Sequence, residues 1–386
     1  MLHTQNIQNI PSPCYVLEET KFRDNLSLIK HVAFSAGVEI ILAFKAFSLW
    51  KTFPLVKEYI SQSTASSPWE ARLAWEEMKA PAYTYAPAYT EKDIQEILLF
   101  SSHITFNSLT QFHRFYPLLQ ASGKKISCGL RINPQYSPVG TALYNPAIQG
   151  SRLGIVHDQL PDPLPEGVEG LHFHVLCESN SYDLENTFSV VEQRFGNYLP
   201  HIKWLNIGGG HLITHKDYDV KHLISLLRTF KARYPHLRLI LEPGSAFAWQ
   251  AGFLLTTVID IVKNDGIHTA IINASFTCHM PDCLEMPYQP NIRGSIPSYS
   301  NVTLPNCYRI GGNSCLAGDF IREPYCFDHP LQPGDTLIFE DMLHYTTVKT
   351  TFFNGIRHPA IALLTKEDKL EILRTFSYQD YLYHMN

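Results

Sequence analysis

Over its first two-thirds the chain switches repeatedly between two hydrophobic periods, and that switching leaves few folds open. Strand-like runs occur at 38–44, 82–85, 104–107, 126–132, 168–175, 204–208 and 237–242, with a shorter candidate, "ISQSTAS", at 60–66. Between most of them the apolar residues fall at helical spacing. Phe22, Leu26, Ile29 and Ala33 share one face, and Gly37 follows as a stop signal. Leu109, Phe112, Phe115 and Leu119 make a second face behind Ser108, a good helix cap. Leu184, Phe188, Val191 and Phe195 make a third, and Val220, Leu223, Leu227 and Phe230 a fourth. Eight strands alternating with helices predict an α/β fold, a (β/α)8 barrel.

After about residue 250 the pattern becomes β-rich. "FLLTTVIDIVKN", "TAIINAS", "DTLIFED" and "PAIALLT" are separated by Pro and Gly clusters and predict a C-terminal β domain. The expected boundaries are 15–250 for the barrel, with 1–14 and 251–386 in the β domain. The segment "PSPCYVLEE" at the first junction is expected to pair with the β domain. A chain of 386 residues with 45% apolar content can bury two such cores.

A net charge of −5 argues against nucleic acid as a partner. No long uncharged apolar run suggests a membrane span, and "MLHTQNIQNIPSPCYVL" lacks the basic start and apolar run of a signal peptide. The expected location is cytoplasmic, so the eight cysteines are read as reduced thiols. "CHMPDC" has no second pair at zinc spacing, and no metal site is predicted.

The active site of such a barrel lies at the C-terminal ends of its strands. The first strand ends at Lys45, an ammonium beside Phe44, Ala46 and Phe47. The second candidate ends at Ser66 and Ser67. "GLHFHVLCES" carries His172 and His174, "KWLNIGGG" ends in Gly208, Gly209 and Gly210, and "LRLILEPG" ends in Glu242, Pro243 and Gly244. Each has an ordinary explanation: a solvated lysine, core histidines, a tight turn. Together they say more. Apolar neighbours disfavour the charged lysine and make it a nucleophilic amine. Bare amides in a glycine turn suit a phosphate. A carboxylate on the same rim can keep a pyridine nitrogen protonated. These parts describe a pyridoxal phosphate site, or else a phosphate-binding lyase of the aldolase type.

Longer motifs carry a resemblance: "LAFKAFS", "STASSPWEARL", "NIGGGH", "TCHMPDCLEMPYQP", "SCLAGD" and "FEDMLHYTTVKTTFFNG". The chain resembles the pyridoxal-phosphate decarboxylases of the alanine-racemase-like fold over nearly its whole length. Among them it is most similar to the carboxynorspermidine/carboxyspermidine decarboxylase family. The resemblance implies a barrel followed by a β domain, and a homodimer with shared active sites. It implies that Lys45 carries the cofactor, that His174 stacks on its ring, that Gly208, Gly209, Gly210 and Tyr345 serve its phosphate and that Gly244 also belongs to the cofactor site. Glu242 pairs with the ring nitrogen, and Cys315 is supplied across the dimer interface. The implied substrate is a polyamine with an α-amino acid head, its ammonium groups met by Asp282, Glu285 and Asp319. The sequence departs from the family pattern at Ser245 and Asn273, where acids are expected, and at Gln289, where arginine is expected. Decarboxylases of diaminopimelate, ornithine or arginine are the rivals within the same chemistry. A diaminopimelate enzyme needs an arginine for a second carboxylate, and Ser245 gives that reading no support. A non-catalytic relative is the rival outside it, against which the retained Lys45, His174, Glu242 and glycine triplet count.

Overall fold

A computed structural model describes residues 9–296 and 305–386. The chain divides into two compact units, Asn25–Phe247 and a second made of the residues before Asn25 and after Phe247.

The first unit is a closed barrel of parallel strands. Its first strand is drawn in two pieces, Glu39–Ile40 and Leu42–Ala43. The first piece pairs with Arg238–Leu241 and the second with Ser63–Ala65, so one strand has the last and second strands as neighbours. Around the ring follow Ala82–Tyr85, Ser101–Phe106, Ser127–Asn133, Val168–His172 and Trp204–Asn206. All eight expected strands are present, the short candidate included. The expected helices run over Glu19–Ala36, Leu109–Ala121, Ser181–Phe195 and Val220–Arg233. Ser108 caps the second by accepting the Gln111 amide at 3.2 Å. Gly37 follows the first helix with φ +65°, a left-handed position that suits glycine.

Two kinds of layer fill the barrel. Towards the N-terminal ends of the strands, Arg238 reaches Glu39 through Nη2 at 2.7 Å, and the Tyr83 hydroxyl donates to Glu39 at 3.0 Å. Beside them, the Tyr83 and His103 rings stack with centroids 3.9 Å apart, and His103 meets Trp204 edge-on. Burial lowers the His103 pKa to about 4, so this ring is neutral packing material. Trp204 lies flat over Gly170, where an added Cβ would stand 2.0 Å from the indole. Its Nε1 donates to Ser127 at 2.8 Å.

The second unit is a mixed sheet whose spine is the long strand Gly252–Asn264. Its first half has Cys14–Glu18 on one side and Thr336–Glu340 on the other, both antiparallel. Its second half pairs with Ile267–Ile272, which continues to Asn306–Gly311 and Tyr325–Phe327. Cys14–Glu18 also pairs in parallel with Ala360–Leu364. The strand at the first junction, within "PSPCYVLEE", thus pairs in this sheet, and the compact unit that holds the barrel strands runs from Asn25 to Phe247.

One expectation is corrected. Cys307 and Cys326 are not free thiols but a disulfide. They face each other in the antiparallel register of neighbouring strands, a juxtaposition that a separation of 19 residues does not reveal.

The Trp204 contact makes a prediction. In Gly170→Ala the methyl group has no space, because the indole is 2% exposed and anchored by Ser127. Overpacking of this kind costs about 1–3 kcal/mol. Urea unfolding should show that loss together with altered tryptophan fluorescence, and an unchanged midpoint would mean that Trp204 moves aside freely.

Candidate active site

The barrel brings Lys45, His174, Glu242 and the glycine turn to one end of its strands. Lys45 stands two residues beyond Ala43, where the Phe44 amide still donates to Thr64 and the Ala46 amide turns back to Ala43. Its Nζ lies 3.4 Å from Nε2 of His174. The lysine keeps solvent access through the barrel mouth, yet protein surrounds it closely. That desolvation lowers its pKa. Glu242 opposes the shift, and the Arg131 guanidinium adds to it.

His174 is fixed by the turn opposite. The Gly209 amide donates to its Nδ1 at 2.9 Å. With Nδ1 accepting, a neutral ring carries its proton on Nε2, pointing at Lys45. Burial, with Lys45 and Arg131 beside it, holds the His174 pKa well below the usual value, consistent with that neutral form. His172, two residues earlier, is 2% exposed and is likewise held neutral, first by burial. Its Nε2 is 4.0 Å from Glu242.

Glu242 receives the Asn206 side-chain amide on Oε1 at 2.6 Å. Burial raises its pKa, while Asn206, Lys45, Thr64 and Arg131 pull it down. Gly244, just beyond, permits a close approach, since a Cβ there would stand 2.4 Å from that of Ala46.

The three glycines divide their work. Gly208 and Gly210 have φ values of +71° and +87°, and a Cβ on any of the three would collide with backbone oxygen at 2.1–2.5 Å. The Gly208 amide donates to Asn206 and the Gly209 amide to His174. Two of the three amides expected to meet a phosphate are therefore used within the protein. Among the described residues no protein acceptor takes the amide of Gly210 or of Gly244.

Arg131, Asn206 and Glu70 were missed in the sequence. Arg131 is 4% exposed, donates to the His174 carbonyl at 3.0 Å and lies over the Tyr85 ring. Glu70 accepts the Ser66 amide at 2.6 Å and adds to the field at Lys45. Arg131 had a signal, a guanidinium inside the apolar run "CGLRIN". Asn206 in "LNIGGG" had almost none, since an asparagine before a turn usually serves the turn.

The remaining expected residues lie in the second unit. Cys315 is exposed, and its amide donates to Asn354 at 2.8 Å. Asp319 is 4% exposed and accepts the amides of Thr277 and Ser314 on its two oxygens. It thereby joins its own loop to the segment that carries Thr277. Asp282 and Glu285 both pair with Lys349, Asp282 at 2.5 Å. Tyr345 has φ +53° and meets His344 edge-on. Asn273 accepts the Thr257 amide and donates to the Ser12 hydroxyl. Gln289 reaches the carbonyls of Glu323 and Pro324.

The barrel residues fit pyridoxal phosphate: an amine kept from its charged form, a buried carboxylate for a ring nitrogen, and unspent amides at a turn too tight for side chains. The lowered Lys45 pKa has a checkable consequence. In cofactor-free protein, Lys45 should react with an amine-selective acylating reagent at a lower pH than the surface lysines do, because its free-base form exists there. Peptide mapping across a pH series reads this, and labelling in step with the bulk lysines would contradict it.

Comparison with known proteins agrees with this site. Residues 14–342 match the family model described as pyridoxal-dependent decarboxylase, C-terminal sheet domain. A carboxyaminopropylagmatine decarboxylase of Synechocystis sp. is 50% identical over 99% of this chain and 97% of its own length. A carboxynorspermidine/carboxyspermidine decarboxylase of Campylobacter jejuni is 41% identical, covering 97% of this chain and 98% of its own. The solved structure of carboxynorspermidine decarboxylase complexed with norspermidine, from Campylobacter jejuni, superposes with a TM-score of 0.89 at 40% identity, over 97% of this chain and 100% of that one. The chain belongs to the pyridoxal-dependent decarboxylases, carboxy-lyases that use pyridoxal phosphate.

Proposed function

We propose that this enzyme removes the carboxyl group from an α-amino acid head carried on a long cationic tail, in polyamine biosynthesis. The observation that carries the chemistry is Lys45, an amine shifted toward its free base in the barrel mouth that also holds Glu242. Pyridoxal phosphate, when bound, supplies the sink for the electron pair left as CO2 departs. Lys45 would hold the cofactor through its Nζ, and as a free base beside the substrate α-carbon it would be able to carry a proton. Glu242 would favour a protonated ring nitrogen by placing its carboxyl group against it. His174, fixed by the Gly209 amide, gives one face of the cleft a rigid plane. The amides of Gly210 and Gly244 serve the phosphate.

The tail is the finer question. The relative at 50% identity is a carboxyaminopropylagmatine decarboxylase, which favours a tail ending in a guanidinium group. The Campylobacter jejuni relatives favour ammonium tails, as in carboxynorspermidine and carboxyspermidine. CO2 release from these three compounds and from diaminopimelate, ornithine and arginine ranks them. Turnover fastest on diaminopimelate would overturn the polyamine reading.

Glu242→Gln should keep the lysine-bound cofactor, read by its absorbance, and lose about a hundredfold to a thousandfold in decarboxylation. Loss of one preorganised electrostatic contact at a reacting centre has that size. Near-normal turnover would mean that another group governs the ring nitrogen.

The proposed assembly is a cytoplasmic homodimer in which Cys315 of one subunit serves the other subunit's barrel, as the alternative to Lys45 for returning a proton to the α-carbon. The family resemblance supports this, as does an exposed thiol on a loop pinned through Asn354. Lys45→Ala and Cys315→Ala dimers should each be nearly inactive. Random mixing makes about half the molecules heterodimers, each with one intact site, so activity should return to about a quarter of wild type. No recovery after verified subunit exchange contradicts shared sites.

A further inference from the structure

We infer that Asn206 is a positioning residue that locks the glycine turn and the Glu242 carboxylate into one unit through a single side-chain amide. The inference rests on the pyridoxal reading of this site. Asn206 ends the strand Trp204–Asn206, and its backbone is held on both sides, in register with His172 and Ile240. Its side chain is 3% exposed. Nδ2 donates to Glu242 Oε1 at 2.6 Å, and Oδ1 accepts the Gly208 amide at 2.9 Å.

These two bonds act on the two halves of the proposed cofactor site. One fixes a carboxylate oxygen and favours its ionised form. The other fixes the first amide of the turn. Neither half can relax independently. The Gly208 carbonyl also accepts the Glu242 amide at 2.8 Å, so the backbones are already joined. A Cβ on Gly209 would stand 2.3 Å from the Glu242 carbonyl oxygen, which leaves no slack between turn and strand. The chemistry of the residue is selective. An amide donates at one end and accepts at the other. An aspartate keeps the acceptor for Gly208, but loses the donor and places a second acid against Glu242. A leucine of similar size keeps neither bond.

Two variants of the full chain therefore separate the roles. Asn206→Asp, Asn206→Leu and wild type are stripped of cofactor and titrated with pyridoxal phosphate. The absorbance of the bound cofactor is then followed against pH. Asn206→Asp should bind within about threefold of wild type, because the turn keeps its bond. Its absorbance transition should move to higher pH, because a lost donor and an added like charge both raise the proton affinity of Glu242. Asn206→Leu should bind about fivefold or more weakly, the size of one lost hydrogen bond. A residue that merely fills space would not split the two readouts. Two variants indistinguishable in both overturn the inference, and so does an unmoved transition in Asn206→Asp if the leucine variant fails to fold. A wild-type protein that takes up no pyridoxal phosphate overturns the decarboxylase reading and this inference with it, which is a different result from a binding wild type beside two equal variants.

Discussion

Closure of the barrel through one short strand is the constraint on which the site depends. Glu39–Ile40 pairs with the last strand and Leu42–Ala43 with the second. Ile41 and Leu42 make the change of partner, their amides donating to Leu241 and Gln62. The chain leaves this seam two residues before Lys45. The last strand leaves it directly before Glu242. An amine and a carboxylate far apart in the chain thus emerge side by side because their strands are neighbours in the ring. Gly244 permits the close fit, leaving room for Ala46 where any side chain would collide.

Desolvation then sets the chemistry, and its sign differs for the two groups. It pushes the Lys45 pKa down and the Glu242 pKa up, so burial alone would leave both neutral. Fixed dipoles and charges oppose that rise at the carboxylate without cancelling it: Asn206 donates to it, Lys45 and Arg131 attract it, and Thr64 supports it. For the lysine, Arg131 acts with burial and against Glu242. The result is an amine leaning towards its free base and a carboxyl group whose pKa stays raised, so that a protonated ring nitrogen placed against Glu242 would supply the charge that favours its anion.

The second unit uses its acids differently. Asp319 spends both oxygens on amides of its own loops, and Lys349 bridges Asp282 and Glu285. These contacts tie together "TCHMPDC", "SCLAGD" and "HYTTVKTTFFNG", which are separate in the chain. Cys315 is left exposed on the loop they fix. The departure at Asn273 has a local reason of the same kind, since its amide bridges Thr257 and Ser12 by accepting from one and donating to the other.

The sequence by itself determined the barrel, the β domain and the rim on which Lys45, His174 and Glu242 stand. Period two and period 3.6 are local properties, and strand ends can be read from them once a barrel is assumed. Tertiary structure alone decided who bonds to whom. The Gly208 amide turns back to Asn206 only two residues earlier, but the Gly209 amide goes to His174, a partner that only the neighbouring strand brings near. Asp319 accepts amides from Thr277 and Ser314, and the first of these lies 42 residues away in the chain. Cys307 and Cys326 looked like thiols until antiparallel register set them face to face. For Gly209 and Asp319 the sequence shows that a polar group exists, but its hydrogen bond goes to whichever distant group the fold places within about 3 Å.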